Sequence, residues 1–164
     1  MHKFFTEDGA TYGLCRLFSK DAYSVENAID VYQVSASLQR AYDKKLKGIF
    51  IGVVDNDKRK QKFFETFTEV SNIDGVVLKQ LGNLFLITLS PQVDGFIHTN
   101  AAEVSVDLSK YRFSTDRKKF MKGLKTYGID TKPEFKTLLN DLKQKNCSCF
   151  VALQKAFDHI YKQR

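Results

Sequence analysis

An uninterrupted apolar run, Gly48-Ile49-Phe50-Ile51-Gly52-Val53-Val54, constrains the fold of this chain more than any other segment. Its length and its β-branched and aromatic residues are typical of a β-strand. Because no polar residue alternates along it, the run predicts a strand buried on both faces, as in a parallel sheet covered by helices. It is also well below the roughly 18 residues that a membrane-spanning helix needs. The sequence therefore predicts an α/β fold.

The residues before this run predict two units of strand followed by helix. The short apolar segment from His2 to Phe5 breaks at Glu7-Asp8-Gly9 into a stretch with helical spacing. Residues 28–34 are β-branched and alternating, which predicts a second strand, and Ser35 is placed to cap the helix after it.

The residues after the run predict the remainder of the sheet. The spacing of Phe63, Phe64, Phe67 and Val70 indicates a helix beyond Asp57. Two strands are then predicted, at Val76 to Leu78 and at Leu84 to Leu89, and they close the sheet.

Beyond Ser90-Pro91 the periodicity becomes helical. Apolar stripes at helical spacing fall within residues 93–97, 120–127, 135–142 and 150–160. We therefore expect a three-layer α/β fold with a mostly parallel sheet in the order βαβαβαβ and a C-terminal helical extension. Residues 1–164 would form a single domain, with an α/β core at 1–90 and a basic helical extension at 91–164 packed on it.

Acidic residues follow two of the predicted strands. Glu7 and Asp8 come after the first strand, and Asp55 and Asp57 come at the end of the apolar run. Ligands of open parallel sheets gather at the carboxyl ends of the strands. Carboxylates placed there could hold Mg²⁺, which takes oxygen ligands and commonly uses one or two carboxylates with water and phosphate. The alternative is ordinary turn and N-cap chemistry, for which Asp-Asn-Asp is well suited.

Two segments give the chain a resemblance to a known family. Phe4-Phe5-Thr6-Glu7-Asp8-Gly9 and Ile51-Gly52-Val53-Val54-Asp55-Asn56-Asp57-Lys58 place a glutamate and a D-x-D pair at the ends of two strands. This order resembles the Toprim domain of topoisomerases, primases and overcoming-lysogenization-defect nucleases, over roughly residues 1–90. The segment Ser90-Pro91-Gln92-Val93-Asp94-Gly95-Phe96 is similar to small stand-alone Toprim-like proteins.

The resemblance implies roles for the acidic residues. Glu7 would act as a general acid or base or as a metal ligand, and Asp55 and Asp57 would hold Mg²⁺ or Mn²⁺ near a phosphodiester. Asp94 would take the place of a further acid, although an acid in the first turn of a helix is also favoured by the helix dipole. Asp8 separates Glu7 from Gly9, where the family has the two adjacent, so Asp8 is a further candidate ligand.

The positive charge lies mainly in the second part of the chain. Residues 91–164 hold 14 Lys and Arg against 8 Asp and Glu, whereas residues 1–90 hold 12 against 11. Helical spacing places Lys118, Lys122 and Lys125 on one exposed face, and Arg112 lies between two aromatic residues. These four residues are the candidates for binding nucleic acid or a nucleotide, and a solvated helix face is the alternative reading of the lysines.

These patterns leave two functional hypotheses. The first is a Mg²⁺-dependent or Mn²⁺-dependent enzyme with nuclease-like phosphodiester or nucleotide chemistry. The second is a non-catalytic Toprim-like module that binds nucleic acid or a protein encoded nearby, in a phage-defence or mobile-element system. We expect a cytoplasmic protein with no membrane partner, and reduced cysteines, because an odd count of three in a chain of this size argues against disulfides. Cys147 and Cys149 alone are weak evidence for a zinc site.

Overall fold

The structure, a computed structural model, describes residues 1–56 and 61–163. Its strands are β1 (His2–Thr6), β2 (Val25–Asn27), β3 (Ile49–Asp55), β4 (Thr68–Ile73), β5 (Val76–Leu81) and β6 (Leu84–Leu89). Its α-helices are α1 (Gly9–Phe18), α2 (Val31–Asp43), α3 (Val93–Glu103), α4 (Arg117–Leu124), α5 (Pro133–Gln144) and α6 (Ser148–Tyr161). Short 3-10 helices lie at Ala22–Ser24, Lys62–Thr66, Leu108–Tyr111 and Ile129–Thr131.

The strands form one mixed sheet in the order β2-β1-β3-β6-β5-β4. The first four strands in that order are parallel, whereas β5 and β4 run antiparallel at one side. The apolar run is the strand β3, with β1 on one side and β6 on the other. The structure thus confirms the predicted α/β class, the mostly parallel sheet and the helical C-terminal part.

Strand β3 is buried on both faces. Ile49, Ile51 and Val53 belong to one apolar cluster, and Phe50 and Val54 belong to another on the opposite face. The division follows from the strand itself, because successive side chains point to opposite sides of a sheet. The first cluster draws on helices α1, α3, α4, α5 and α6, and the second on α2.

The C-terminal helices pack on the sheet through aromatic side chains. Phe157 of α6 stacks on Phe4 of β1 with ring centroids 5.2 Å apart and planes at 8°. Phe18 of α1 contacts both Phe157 and Phe150 at 5.7 Å between centroids. The two stripes predicted at residues 135–142 and 150–160 are accordingly buried, and they join the two parts of the chain in one apolar cluster.

The strand predicted at residues 28–34 is wrong. The strand in this region is β2, which ends at Asn27, and α2 begins at Val31. Asp30 caps that helix by accepting a hydrogen bond from the backbone N–H of Gln33 at 2.8 Å, whereas Ser35 is buried inside it. The apparent alternation was the start of a helical stripe, in which Val31, Val34, Leu38 and Ala41 face the sheet.

The helix predicted around residues 63–70 is also wrong. A short 3-10 helix, Lys62–Thr66, is followed by β4, which pairs antiparallel with β5. Phe63, Phe64 and Phe67 pack on the α2 side of the sheet, and Val70 lies 40% exposed on the edge strand. Pairing with β5 outweighed the local helical spacing, as tertiary context often does for short aromatic segments.

Within residues 1–56 and 61–163, none of the helices combines the length and the hydropathy needed to cross a membrane.

The close contact between β3 and α2 gives a stability prediction. A Cβ added at Gly52 would lie 2.8 Å from Cδ1 of Leu38 and 2.9 Å from Cγ1 of Val34, whereas a Cβ at Gly123 in α4 would meet nothing within 4 Å. We expect Gly52→Ala to lower the free energy of unfolding by about 1–3 kcal/mol through overpacking. Gly123→Ala, the matched control, should raise it by about 0.5–1 kcal/mol because alanine favours a helix. Urea denaturation of both variants tests this, and a neutral Gly52→Ala would contradict the packing of α2 on β3.

Candidate functional site

Acidic residues from three neighbouring strands lie at one edge of the sheet. Glu7 and Asp8 follow β1, Asp55 is the last residue of β3, and Asp94 lies in the first turn of α3, which follows β6. The parallel register pairs Thr6 with Val53 and Asp55 with Leu89, so the carboxyl ends of β1, β3 and β6 are level. The sequence correctly placed Glu7, Asp8 and Asp55 at strand ends, and β1 and β3 are neighbours.

Hydrogen bonds from backbone N–H groups to side-chain carboxylates join Glu7 to Asp55 and Asp55 to helix α3. The N–H of Asp55 donates to Oε2 of Glu7 at 2.9 Å, and the N–H of Val93 donates to Oδ1 of Asp55 at 2.7 Å. The second bond satisfies a donor at the start of α3 that has no partner inside the helix. The carboxyl ends of β1 and β3 and the start of α3 are therefore held together by carboxylates.

Asp8 has a different role from its neighbour Glu7. Its Oδ1 accepts a hydrogen bond from the N–H of Thr11 at 2.8 Å and caps α1. Of the two adjacent acids, Glu7 is the one that reaches strand β3, and Asp8 contributes its charge from the helix start. The structure therefore distinguishes the two acids that the sequence left as joint candidates.

Asp94 is a buried carboxylate beside a lysine. Only 2% of its surface is exposed, and its Oδ1 accepts a hydrogen bond from the N–H of Gly95 at 2.6 Å. Its Oδ2 accepts no hydrogen bond from the part of the chain that the structure describes, and it lies 4.0 Å from Nζ of Lys125. A buried carboxylate is costly without such compensation. Asp94 and Lys125 thus tie the end of α4 to the start of α3.

Asp55 is a titratable group whose pKa this environment clearly shifts. Burial raises the pKa of its carboxyl group to about 8, and the charges of Asp8, Glu7 and Asp94 act in the same direction. The hydrogen bond from Val93 lowers the pKa and offsets only part of the rise. Without a cation, Asp55 therefore keeps its proton at neutral pH, since burial disfavours its charged form and the neighbouring carboxylates add to this effect.

The predicted metal site stays a prediction. Asp57 lies outside the described residues, so its part in the site stays a prediction. Within residues 1–56 and 61–163, no group of three or more His, Cys, Asp and Glu side chains is arranged to hold a metal ion. The described carboxylates therefore lie near one another without forming a complete set of three ligands.

A cleft of about 870 Å³ opens in front of these acids. Glu7, Asp8 and Asp55 line it at the sheet edge, and Asn27 and Ile29 line it beside β2. Its other wall is the segment 124–131, which follows α4. The volume is within the range typical of small-molecule and cofactor sites.

The structure separates the four predicted basic residues. Lys125 lines the cleft and lies nearest the acids. Lys118 and Lys122 are exposed on α4, which confirms that their face is turned to solvent. Arg112 is not among the residues that line the cleft, and its guanidinium pairs with Glu134 at 3.2 Å. Of these four residues, Lys125 is therefore the one that lines the cleft at the acidic edge.

Tyr127 and Ile29 are among the cleft-lining residues that sequence reasoning missed. Tyr127 was assigned to the apolar stripe of α4, but that helix ends at Leu124 and the tyrosine is fully exposed. Gly128, with a φ of 74°, directly follows it and is the signal that could have shown the helix ending. Ile29 was placed inside a strand, and it is 79% exposed in the loop after β2. Asn27, a turn former, and Asp30, an N-cap residue, lie on either side of it and are the signal that could have shown the loop.

The cysteines do not contribute to the cleft. Cys15 and Cys147 are buried and Cys149 is half-buried, and all three are free thiols. Burial raises the pKa of Cys147 to about 11, which keeps it protonated at neutral pH. The thiols therefore belong to the packing of the helices rather than to a reactive site.

Comparisons with protein-family models, with curated proteins and with solved structures gave no match for this chain. The resemblance to the Toprim family accordingly stays a prediction from the sequence.

The raised pKa of Asp55 predicts how stability depends on pH in the absence of metal. The folded protein keeps a proton on Asp55 up to about pH 8, whereas the unfolded chain releases it near pH 4. This stabilising contribution is fully present below the unfolded pKa and is lost as the pH rises to about 8. We expect wild-type stability, relative to Asp55→Asn, to fall across this window.

Urea denaturation in EDTA over the range from about pH 5 to about pH 9 measures this difference. Asp43→Asn is the matched control, because Asp43 is an exposed residue at the end of α2. Its stability should follow the wild-type curve. Parallel curves for wild type and Asp55→Asn would contradict the raised pKa.

Proposed function

We propose that the protein is a divalent-metal-dependent enzyme that acts on phosphodiester or nucleotide substrates, with nuclease chemistry as the favoured subclass. The observation that carries this proposal is the convergence of Glu7, Asp55 and Asp94 at one sheet edge, where Asp55 is largely buried among like charges. Such an arrangement costs stability in a metal-free protein. A bound cation would offset that cost.

The donor atoms in the cleft fit a hard cation. The acids are oxygen donors, and no His or Cys is among the described residues that line the cleft. Carboxylates of this kind suit Mg²⁺ and Mn²⁺ better than softer metals. Mg²⁺ also needs only one or two carboxylates, with water and phosphate completing its shell. Asp55 would supply one ligand, and Asp57, from the D-x-D pair, would supply the other.

The remaining residues would orient the substrate around this site. Glu7 is held by the N–H of Asp55, which keeps its carboxylate in one place and suits it to accept a proton from an attacking water. Lys125 lines the same cleft and could neutralise a substrate phosphate. The ion, when bound, would supply Lewis-acid stabilisation of the charge that develops on the phosphate.

One set of observations favours the second hypothesis, a non-catalytic binding module. Glu7, Asp8 and Asp55 each accept a backbone hydrogen bond, so each has a structural role independent of any metal. The exposed lysines of α4 could then bind nucleic acid without a reaction at the acidic edge. The two hypotheses make different predictions for the effect of metal on stability and for the effect of salt on DNA binding.

The enzyme hypothesis predicts stabilisation by metal. A ligand that binds only the folded state at about ten times its Kd stabilises it by about 1.4 kcal/mol. For a chain of this size, the expected rise in Tm is roughly 3–6 °C. We expect this rise with millimolar MgCl₂ or MnCl₂ for the wild type and for Asp43→Asn, but not for Asp55→Asn. An equal rise in all three proteins, or none in the wild type, would argue against the metal site.

The same variants separate catalysis from binding. Metal-dependent cleavage of a labelled DNA strand should be lost in Asp55→Asn and retained in Asp43→Asn. A binding module would instead show no cleavage and a retention of DNA that falls steeply with salt and survives Asp55→Asn. That retention should weaken in Lys118→Gln/Lys122→Gln and persist in a control with Lys136→Gln on α5 and Lys145→Gln at its C-cap.

A further inference from the structure

Two of the residues that line the cleft have large apolar side chains in contact with solvent. Tyr127 is fully exposed and Ile29 is 79% exposed, although the cleft between their segments is about 870 Å³. A single exposed apolar residue needs no explanation. Tyr127 and Ile29 line the same cleft as several carboxylates and a lysine. Together they provide apolar contact surface for a ligand that also carries charge.

The backbone at Ile29 supports this interpretation. Its φ of 78° lies in the left-handed region, which a β-branched residue rarely adopts. The side chain of Asn27 holds the turn by accepting a hydrogen bond from the N–H of Ile29 at 3.0 Å. Glycine or asparagine would be the usual choice at such a position. The chain instead holds a large apolar group exposed at the cleft.

Positive charge extends from the cleft along α4. Lys125 lies at the acidic edge, and Lys118 and Lys122 precede it at helical spacing with their side chains in solvent. At 1.5 Å of rise per residue, these lysines span about 10 Å. That exceeds the roughly 3.4 Å by which one strand of B-DNA rises along the helix axis for each phosphate. The basic surface is long enough for more than one phosphate.

We propose that the cleft binds single-stranded nucleic acid, with an unpaired base against Tyr127 and Ile29 and the backbone along Lys125 and Lys122. In a duplex, each base is covered by its neighbours, so only an unpaired base can offer its face to an aromatic side chain. The lysines extend beyond one nucleotide, which favours a strand over a free mononucleotide. This inference deepens the proposed function. It rests on the proposed function for the reaction, whereas binding of the single strand does not depend on it.

Fluorescence anisotropy in EDTA with a labelled oligodeoxythymidylate tests the proposal directly. We expect binding tighter than that of a labelled duplex, and no effective competition by thymidine monophosphate. Tyr127→Ala should weaken the binding roughly tenfold, since stacking on one base contributes about that much. Tyr23→Ala, the matched control, removes an equally exposed tyrosine that does not line the cleft, and it should leave binding unchanged.

A second variant separates contact with the base from loss of structure. Ile29→Gly relieves the left-handed conformation, so we expect a higher Tm together with weaker binding of the oligonucleotide. A variant that is more stable and yet binds less well has lost a contact rather than its fold. Unchanged affinity in both Tyr127→Ala and Ile29→Gly would overturn the proposal, as would equal or tighter binding of the duplex or effective competition by the mononucleotide.

The outcome for the metal chemistry is measured separately. Because the anisotropy experiment contains EDTA, it supports or overturns the single-strand cleft whether or not the protein binds a metal. Absence of the Mg²⁺-dependent rise in Tm would contradict the proposed enzymatic function and would leave the binding result unaffected. If metal stabilises the protein but the protein shows no preference for a single strand, the single-strand proposal is contradicted and the proposed enzymatic function is not.

Discussion

The parallel pairing of β3 with β1 and β6 is the constraint on which the rest of the structure depends. Because β3 is apolar on both faces, it can be satisfied only by helices on both sides of the sheet. The same pairing brings the carboxyl ends of three strands to one level. Whatever follows those strands in sequence is therefore gathered at one edge, and in this chain acidic residues follow.

The gathered carboxylates have both structural and electrostatic consequences. Glu7 accepts a hydrogen bond from the backbone N–H of Asp55, and the carboxylate of Asp55 in turn accepts one from the N–H of Val93, a donor at the start of α3. These bonds stabilise the loops that carry the acids. The proximity of Asp8, Glu7 and Asp94 nevertheless adds to the burial that favours the protonated form of Asp55. Hydrogen bonds thus fix the acidic residues at this edge, although burial and repulsion disfavour their charges. Perturbed titratable groups of this kind are common at functional sites.

The helical part of the chain contributes the opposite charge and the second wall of the cleft. Lys125 follows α4 and approaches the buried Asp94, so one ion pair joins the segment 124–131 to the acidic edge. The residues after it then turn at Gly128, and Tyr127 is left in solvent. The cleft consequently has carboxylates at its sheet edge, a lysine on one wall and apolar surface on both sides.

Much of this architecture followed from the sequence, and the failures have a common physical cause. The run at residues 48–54, the helical stripes of α5 and α6 and the acidic ends of β1 and β3 were predicted correctly, because each pattern repeats over a long segment or lies at a clear boundary. Residues 28–34 and 63–70 were assigned wrongly. In these short segments the strand and helix periods are hard to distinguish, and contacts with distant strands decided the outcome.

By itself, the sequence determined the class of fold and the presence of acids at the strand ends, since hydrophobic periodicity and strand termini are local properties of the chain. Only the tertiary structure decided that Glu7 rather than Asp8 reaches β3 and that Asp94 lies beside Lys125. It likewise placed Tyr127 and Ile29 on one cleft. Those relations join residues that are far apart in sequence, and they depend on how the helices pack on the sheet, which no local pattern specifies.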